Sequence, residues 1–213
     1  MKHSSLLSAC AAVLLLGGQA WAHDGEDHKA EPAPQVEIDP QAGEDIPFDF
    51  EIGGSFELVD HHGKKVTDSD FHGAYMMVFF GYANCESICP VGLSRMVKAI
   101  DLLGEEAKVV QPVLITVDPE NDTVEALAGH VPKIHPRLVG LTGTPEQLAA
   151  ARKAYRVDSK AVGKAWDGKP IFSHGSFLYL MAPDGSFATL IPPVLSPEAM
   201  AKTIRKYLAQ AET

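Results

Sequence analysis

The chain is short of sulfur, of clustered positive charge and of long apolar runs. Three cysteines occur in 213 residues, and only Cys85 and Cys89 lie close together. That is too few thiolates for a structural zinc site closed by cysteines alone. Lysine and arginine number 18 against 28 acids, for a net charge of -10, and they form no cluster. That pattern excludes a nucleic-acid partner as the natural reading and gives no reason to expect an anionic lipid surface. The longest apolar stretch, 6–18, falls short of the roughly 20 residues a membrane-spanning helix needs. No internal repeat is visible.

What is there divides into three parts. Lys2, the apolar run 6–18 and the small-residue signal Ala20-Trp21-Ala22 predict a secretory signal peptide, 1–22, cut after Ala22. Cys10, in Leu7-Ser8-Ala9-Cys10, belongs to that discarded segment. Export places the mature chain in the periplasm, tethered to the membrane if the segment stays uncut. Residues 23–46 carry eight acids, one lysine and three prolines, which predicts an acidic disordered linker. His23 and His28 there read as part of a solvating tail, with loose metal binding as the alternative. From 47 to 213 acids and bases are nearly balanced, and the length suffices for one domain with a core.

Within 47–213 the pattern alternates between strand and helix periods. Phe56 to Val66, turning at Gly63, predicts an N-terminal β-hairpin with His61 and His62 exposed at its tip. The run 76–81 is too apolar for a half-exposed strand and fits a central one. Apolar positions from Val91 to Leu103 recur at helical spacing. A second buried strand is expected from Val113 to Val117, with Pro112 excluded from the ladder. Asp122 or Thr123 caps a short helix, 124–130, and a short strand is expected near 138–141. Thr144-Pro145 opens a helix that ends near Tyr155, and Ser196-Pro197 opens the last. Two strands, 175–181 and 186–191, flank the turn Pro183-Asp184-Gly185. Gly- and Lys-rich 160–170 reads as a mobile loop. The sum is an α/β sandwich, a central mixed sheet flanked by helices.

Cys85 and Cys89 sit where a strand feeds a loop that opens a helix, the place where α/β folds put their chemistry. With the second half helical, positions i and i+4 share a face, so the sulfurs can hold one metal ion or close one disulfide. A bridge closing so small a loop would constrain the unfolded chain little, which favours a reactive or ligating pair. A third ligand is found by topology. If strand 176–181 runs antiparallel to 76–81, its beginning lies beside the other's end, and His174 faces the cysteines. Two thiolates and an imidazole suit copper(I), or copper(II) with a further weak donor, while catalytic zinc remains open. Met76, Met77, Met96 and Met181 lie in apolar runs and are expected in the core.

Taken together, Phe79-Phe80-Gly81-Tyr82 with Cys85-x3-Cys89-Pro90, Ile115-Thr116-Val117-Asp118-Pro119 with Asp122-Thr123, and His174 with Tyr179 and Pro183-Asp184-Gly185 resemble the Sco/SenC family across about 47–210. The resemblance implies a thioredoxin-like fold and a copper site of Cys85, Cys89 and His174, with Asp118 as a supporting acid nearby. It implies a metallochaperone that delivers copper to the dinuclear copper site of cytochrome c oxidase during assembly. The partners are then that copper-bearing subunit or another copper-site protein, with other copper chaperones and thioredoxin-like reductases beside it. The chain departs from the family at Ala83-Asn84, at Glu86-Ser87-Ile88 and at Ser173, and none of these changes removes a ligand. The same thiols also allow a thiol-disulfide oxidoreductase, with Cys85 attacking and Cys89 resolving. A thiol peroxidase using Arg95 and a plain disulfide are the remaining readings.

Overall fold

The computed structural model describes residues 51–83, 85 and 88–210, within a compact unit that begins at Phe48. The predicted leader 1–22 and linker 23–46, with Cys10, His23 and His28, lie outside the described residues.

The sheet is built outward from β3 (Tyr75–Gly81), in which every residue is buried. A strand covered on both faces reads as an unbroken apolar run, which is why Tyr75-Met76-Met77-Val78-Phe79-Phe80 shows no alternation. On one side β4 (Val110–Thr116) runs parallel to it, from Tyr75 opposite Val110 to Gly81 opposite Thr116. On the other side β8 (Leu178–Met181) runs antiparallel, with Leu178 opposite Phe79. β5 (Val139–Thr142) continues the parallel set beside β4. The hairpin of β1 (Glu57–Asp60) and β2 (Lys65–Thr67) closes that edge, and β9 (Phe187–Ile191) closes the other. The seven-stranded order is β2-β1-β5-β4-β3-β8-β9.

Among the described residues four α-helices cover the sheet: α1 (Ile88–Leu102), α2 (Val124–Ile134), α3 (Pro145–Ala154) and α4 (Pro197–Gln210). Their starts follow the capping chemistry in the sequence. Thr123 accepts from the Ala126 amide at 3.3 Å. Thr144 and Gln147 form a reciprocal capping box. Successive β3 residues point to opposite faces. Phe80 meets Tyr155, just past α3, and Tyr179. Phe79 points the other way, toward α1. There Gly92 leaves room for its ring, because a Cβ would lie 3.2 Å from two ring carbons.

Several expectations change. Pro112 does lie inside β4, opposite Met77. It is tolerated because β5 begins only opposite Val113, so no neighbour on that side asks for the missing N–H; the Pro112 carbonyl accepts from the Gln111 side chain instead. α2 runs on through Pro132 to Ile134, a place near the helix end where one lost bond is cheap. His61 is not exposed at the hairpin tip: it is buried, and its Nδ1 accepts from the Gly140 amide at 3.2 Å, while His62 is exposed. The strand expected from 175 starts at Leu178. The largest correction concerns 160–170. These residues are not a loop but most of an antiparallel arm, β6 (Ser159–Lys164) and β7 (Pro170–His174), which forms its own two-stranded sheet. Ala165 and Lys169 close the arm's turn, and Gly168 supplies its positive φ of 84°.

Candidate metal centre

The two cysteines descend from the buried end of β3. Gly81 ends the strand, and its carbonyl accepts from Val117 at 2.9 Å, holding the ends of β3 and β4 together. Glycine is required there: a Cβ would stand 2.8 Å from the Phe79 ring and 3.4 Å from the Cys89 sulfur. The chain then turns, with the Cys85 amide donating to the Tyr82 carbonyl at 3.3 Å. Asp122 fastens this turn from beneath. Its Oδ2 accepts from the Ala83 amide at 3.0 Å and from the Thr116 hydroxyl at 2.7 Å. Cys89 falls in the first turn of α1. Both sulfurs are thiols, with no disulfide between them, and both are buried.

His174 arrives as the last residue of β7, opposite Ser159. Its Nδ1 donates to the Gly175 carbonyl at 3.0 Å, which turns the Nε2 lone pair toward the sulfurs. Nε2 lies 3.4 Å from the Cys89 sulfur. The ligand atoms of Cys85, Cys89 and His174 all lie within 4.8 Å of one another. Phe79 and Tyr82 hold the ring edge-on, at centroid distances of 6.3 and 6.1 Å. Tyr82 also joins the two parts of the site, because its Oη accepts from the Phe172 amide of β7 at 3.3 Å.

The electrostatics follow from burial and from the sulfurs. Burial works against the His174 imidazolium, yet the Cys85 sulfur and the Gly175 carbonyl outweigh it and raise the pKa above the ordinary histidine value. The ring meets the Cys89 sulfur at 3.4 Å and is hydrogen-bonded to Cys85 as well, so the imidazole serves both. A hydrogen bond to Cys85, then burial, then the charge of Cys85 push the Cys89 thiol far up. Burial raises Asp122 and Asp118 as well.

The three ligands named from the sequence thus come together. Asp118 is buried but turned to the Asn121 amide, at 2.9 and 3.1 Å, and the acid that reaches the cysteine turn is Asp122, read from the sequence only as a helix cap. Met76, Met77, Met96 and Met181 are core residues. Arg95 donates to the Pro193 and Val194 carbonyls and tethers α1 to the loop before α4, so it is committed away from the thiols. His135 pairs with Asp101 at 3.0 Å. A cleft of about 440 Å³ opens from the two sulfurs between α1 and α2.

A parallel β-α-β core with two thiols at the end of its first strand, an antiparallel return strand and an imidazole placed just before it define a thioredoxin-like α/β protein with a dithiol–imidazole cluster. The sequence model of the SCO1/SenC family matches residues 44–209, and the chain belongs to that family. It is 40% identical over 158 residues to the mitochondrial SCO2 homologue of Bos taurus, covering 73% of this chain and 59% of that protein. To the mitochondrial SCO1 homologue of Homo sapiens it is 36% identical over 180 residues, covering 83% of this chain and 58% of that protein. The chain thus spans about three fifths of these relatives' length. Among solved structures it is similar to copper-bound ScoI of Arabidopsis thaliana, with a TM-score of 0.71 and 34% identity over 75% of this chain and 99% of that one. Copper-bound yeast Sco1 gives 0.69 and 29%, over 75% and 90%. The relatives also correct the periplasmic expectation, since the similar SCO1 and SCO2 proteins are named mitochondrial ones. A short apolar leader with a small-residue motif does not by itself specify the compartment.

Proposed function

We propose that this chain is a copper metallochaperone: Cys85, Cys89 and His174 hold the ion, and the protein hands it to the dinuclear copper site of cytochrome c oxidase during assembly. The observation that carries this reading is the convergence of two sulfurs and one Nε2 within 4.8 Å. The copper-bound Sco structures to which the chain is similar support it. Two soft thiolates and a borderline imidazole match copper(I). The thiols must lose their protons to ligate, so uptake releases protons. His174 needs no tautomer change, because Gly175 already holds the proton on Nδ1. The cleft beside the sulfurs leaves the ion accessible from one side, which transfer by ligand exchange to an acceptor requires. The reductase reading is weaker because it needs an accessible, acidic thiol; Cys85 is 7% exposed and Cys89 is 1% exposed with its thiol pushed up.

Titration of the reduced protein with copper(I) tests the assignment. One tight equivalent is expected. Replacing both Cys85 and Cys89 with alanine abolishes it. His174→Ala weakens it by at least the roughly 10–100-fold that removal of a mere supporting residue costs a metal site. Tight binding that survives loss of both sulfurs would overturn the reading.

A further inference from the structure

The cleft between α1 and α2 has a composition that the copper site does not explain. Cys85 and Cys89 form its inner end, and Leu93, Val97 and Ile134 line its apolar part. Lys98 projects from α1, and Lys133 and His130 from α2. Among the described residues its one acid, Asp101, is engaged by His135 at 3.0 Å. Among the described residues neither lysine lies in an ion pair. In a chain of net charge -10, the described lining of this cleft thus carries two free lysines and ends on two thiols. Its volume of about 440 Å³ is that of a small-molecule site.

We propose that this cleft binds a small anionic thiol, with carboxylates on Lys98 and Lys133 and sulfur directed at Cys85, and that this thiol reduces the Cys85–Cys89 pair when it has been oxidised. The need for such a step rests on the copper reading, since an oxidised pair cannot ligate. Cys85, 7% exposed against 1% for Cys89, is the more accessible of the pair. The incoming thiolate attacks the Cys85 sulfur. The Cys85–Cys89 bond breaks, and the electron pair leaves on Cys89, which takes a proton from solvent. A second thiolate attacks the sulfur of the first molecule, releasing Cys85 as a thiolate and forming the external disulfide. Two small thiols lose one electron each, and the protein pair gains two.

The test uses the full chain with the pair oxidised and follows reduction by peptide mass after alkylation. Glutathione, which carries two carboxylates, is compared with cysteamine, a cationic thiol with none. The rate is expected to saturate with glutathione. In the Lys98→Glu, Lys133→Glu double variant its apparent second-order constant is expected to fall about tenfold or more. Cysteamine reduces the same variant at least as fast as wild type, which also shows that the variant is folded and its pair reachable. S-methylglutathione, anionic but without a thiol, competes. A rate linear in glutathione, an equal loss for both thiols, or no competition overturns the site. Copper(I) titration separates the two readings: wild type that takes up no copper yet saturates with glutathione sinks the metallochaperone and leaves the thiol site standing.

Discussion

The end of β3 and the β6–β7 arm meet at one point and are built by opposite means. β3 is buried at every residue, paired on both sides, and its cysteine turn is pinned by Asp122 and by the β4 terminus. The arm pairs only with itself, and five of the six residues of β6 are exposed. At its turn Trp166 is 91% exposed. The sulfurs are thus held by the core of the protein, whereas the imidazole is held by its own strand end, two aromatic edges and the Tyr82 hydroxyl. Regions with little buried apolar area and exposed backbone hydrogen bonds open at lower free energy than the core. The difference teaches that the thiol pair is the fixed part of the site and His174 the adjustable part. On the proposed metallochaperone reading, holding and then releasing an ion gains from that division.

The largest test sets core against arm. Phe79 is fully buried, its ring closely approached by Gly81 and Gly92, with His174 edge-on. Phe79→Ala is expected to cost about 3–5 kcal/mol. Trp166→Ala should stay within about 0.5 kcal/mol. Denaturant unfolding of both variants measures the contrast, and equal losses would erase it.

A smaller effect probes the pin. Burial holds the Asp122 carboxyl above the ordinary aspartate range, with Asp118 adding to it and the Thr116 and Ala83 bonds opposing it. A raised folded-state pKa in an acid means that its stabilising contribution is complete below the unfolded pKa and is lost as pH rises through the folded one. Asp122→Asn keeps an acceptor for Ala83 and Thr116 but cannot ionise. Relative to wild type the variant should therefore gain stability as pH rises from the ordinary aspartate range toward neutrality. Melting of both proteins across that window measures it, and an offset independent of pH would show that burial of the charge is not what shifts Asp122.

The same contrast governs what can be read from the amino acids. β3 is legible because complete burial leaves an apolar run that no other element would carry. The caps at Thr123 and Thr144 are legible because their bonds are local. His174 can be placed because the turn at Pro183-Asp184-Gly185 fixes the direction of β8, and β8 pairs with β3 as the topology requires. The arm is not legible: Ser159 to Lys164 is polar and exposed on both sides, so neither period of two nor apolar face marks it as strand. Nor is the bond from Asp122 to Ala83, which spans 39 positions and leaves no trace in local spacing. Burial of His61 escapes for the same reason, since its partner Gly140 is 79 residues away.

The finest test lies where the two regions touch. Tyr82 belongs to the cysteine side of the site, and its hydroxyl oxygen accepts the Phe172 amide of the arm. Its ring lies edge-on to Phe172 at 5.5 Å and to His174 at 6.1 Å. Tyr82→Phe keeps both ring contacts and removes the hydroxyl, which accepts from Phe172 and also bonds the Cys85 side chain. An ordinary hydrogen bond contributes about 0.5–1.5 kcal/mol, so amides of 159–174 should exchange roughly 2–10-fold faster. Amides of β3 should not change, because their protection comes from the sheet on either side. Copper(I) binding should weaken as well, because the same hydroxyl bonds the Cys85 side chain. Faster exchange spread evenly over β3 and the arm would mean that Tyr82 supports the whole fold, and the division between a fixed pair and an adjustable third ligand would fail.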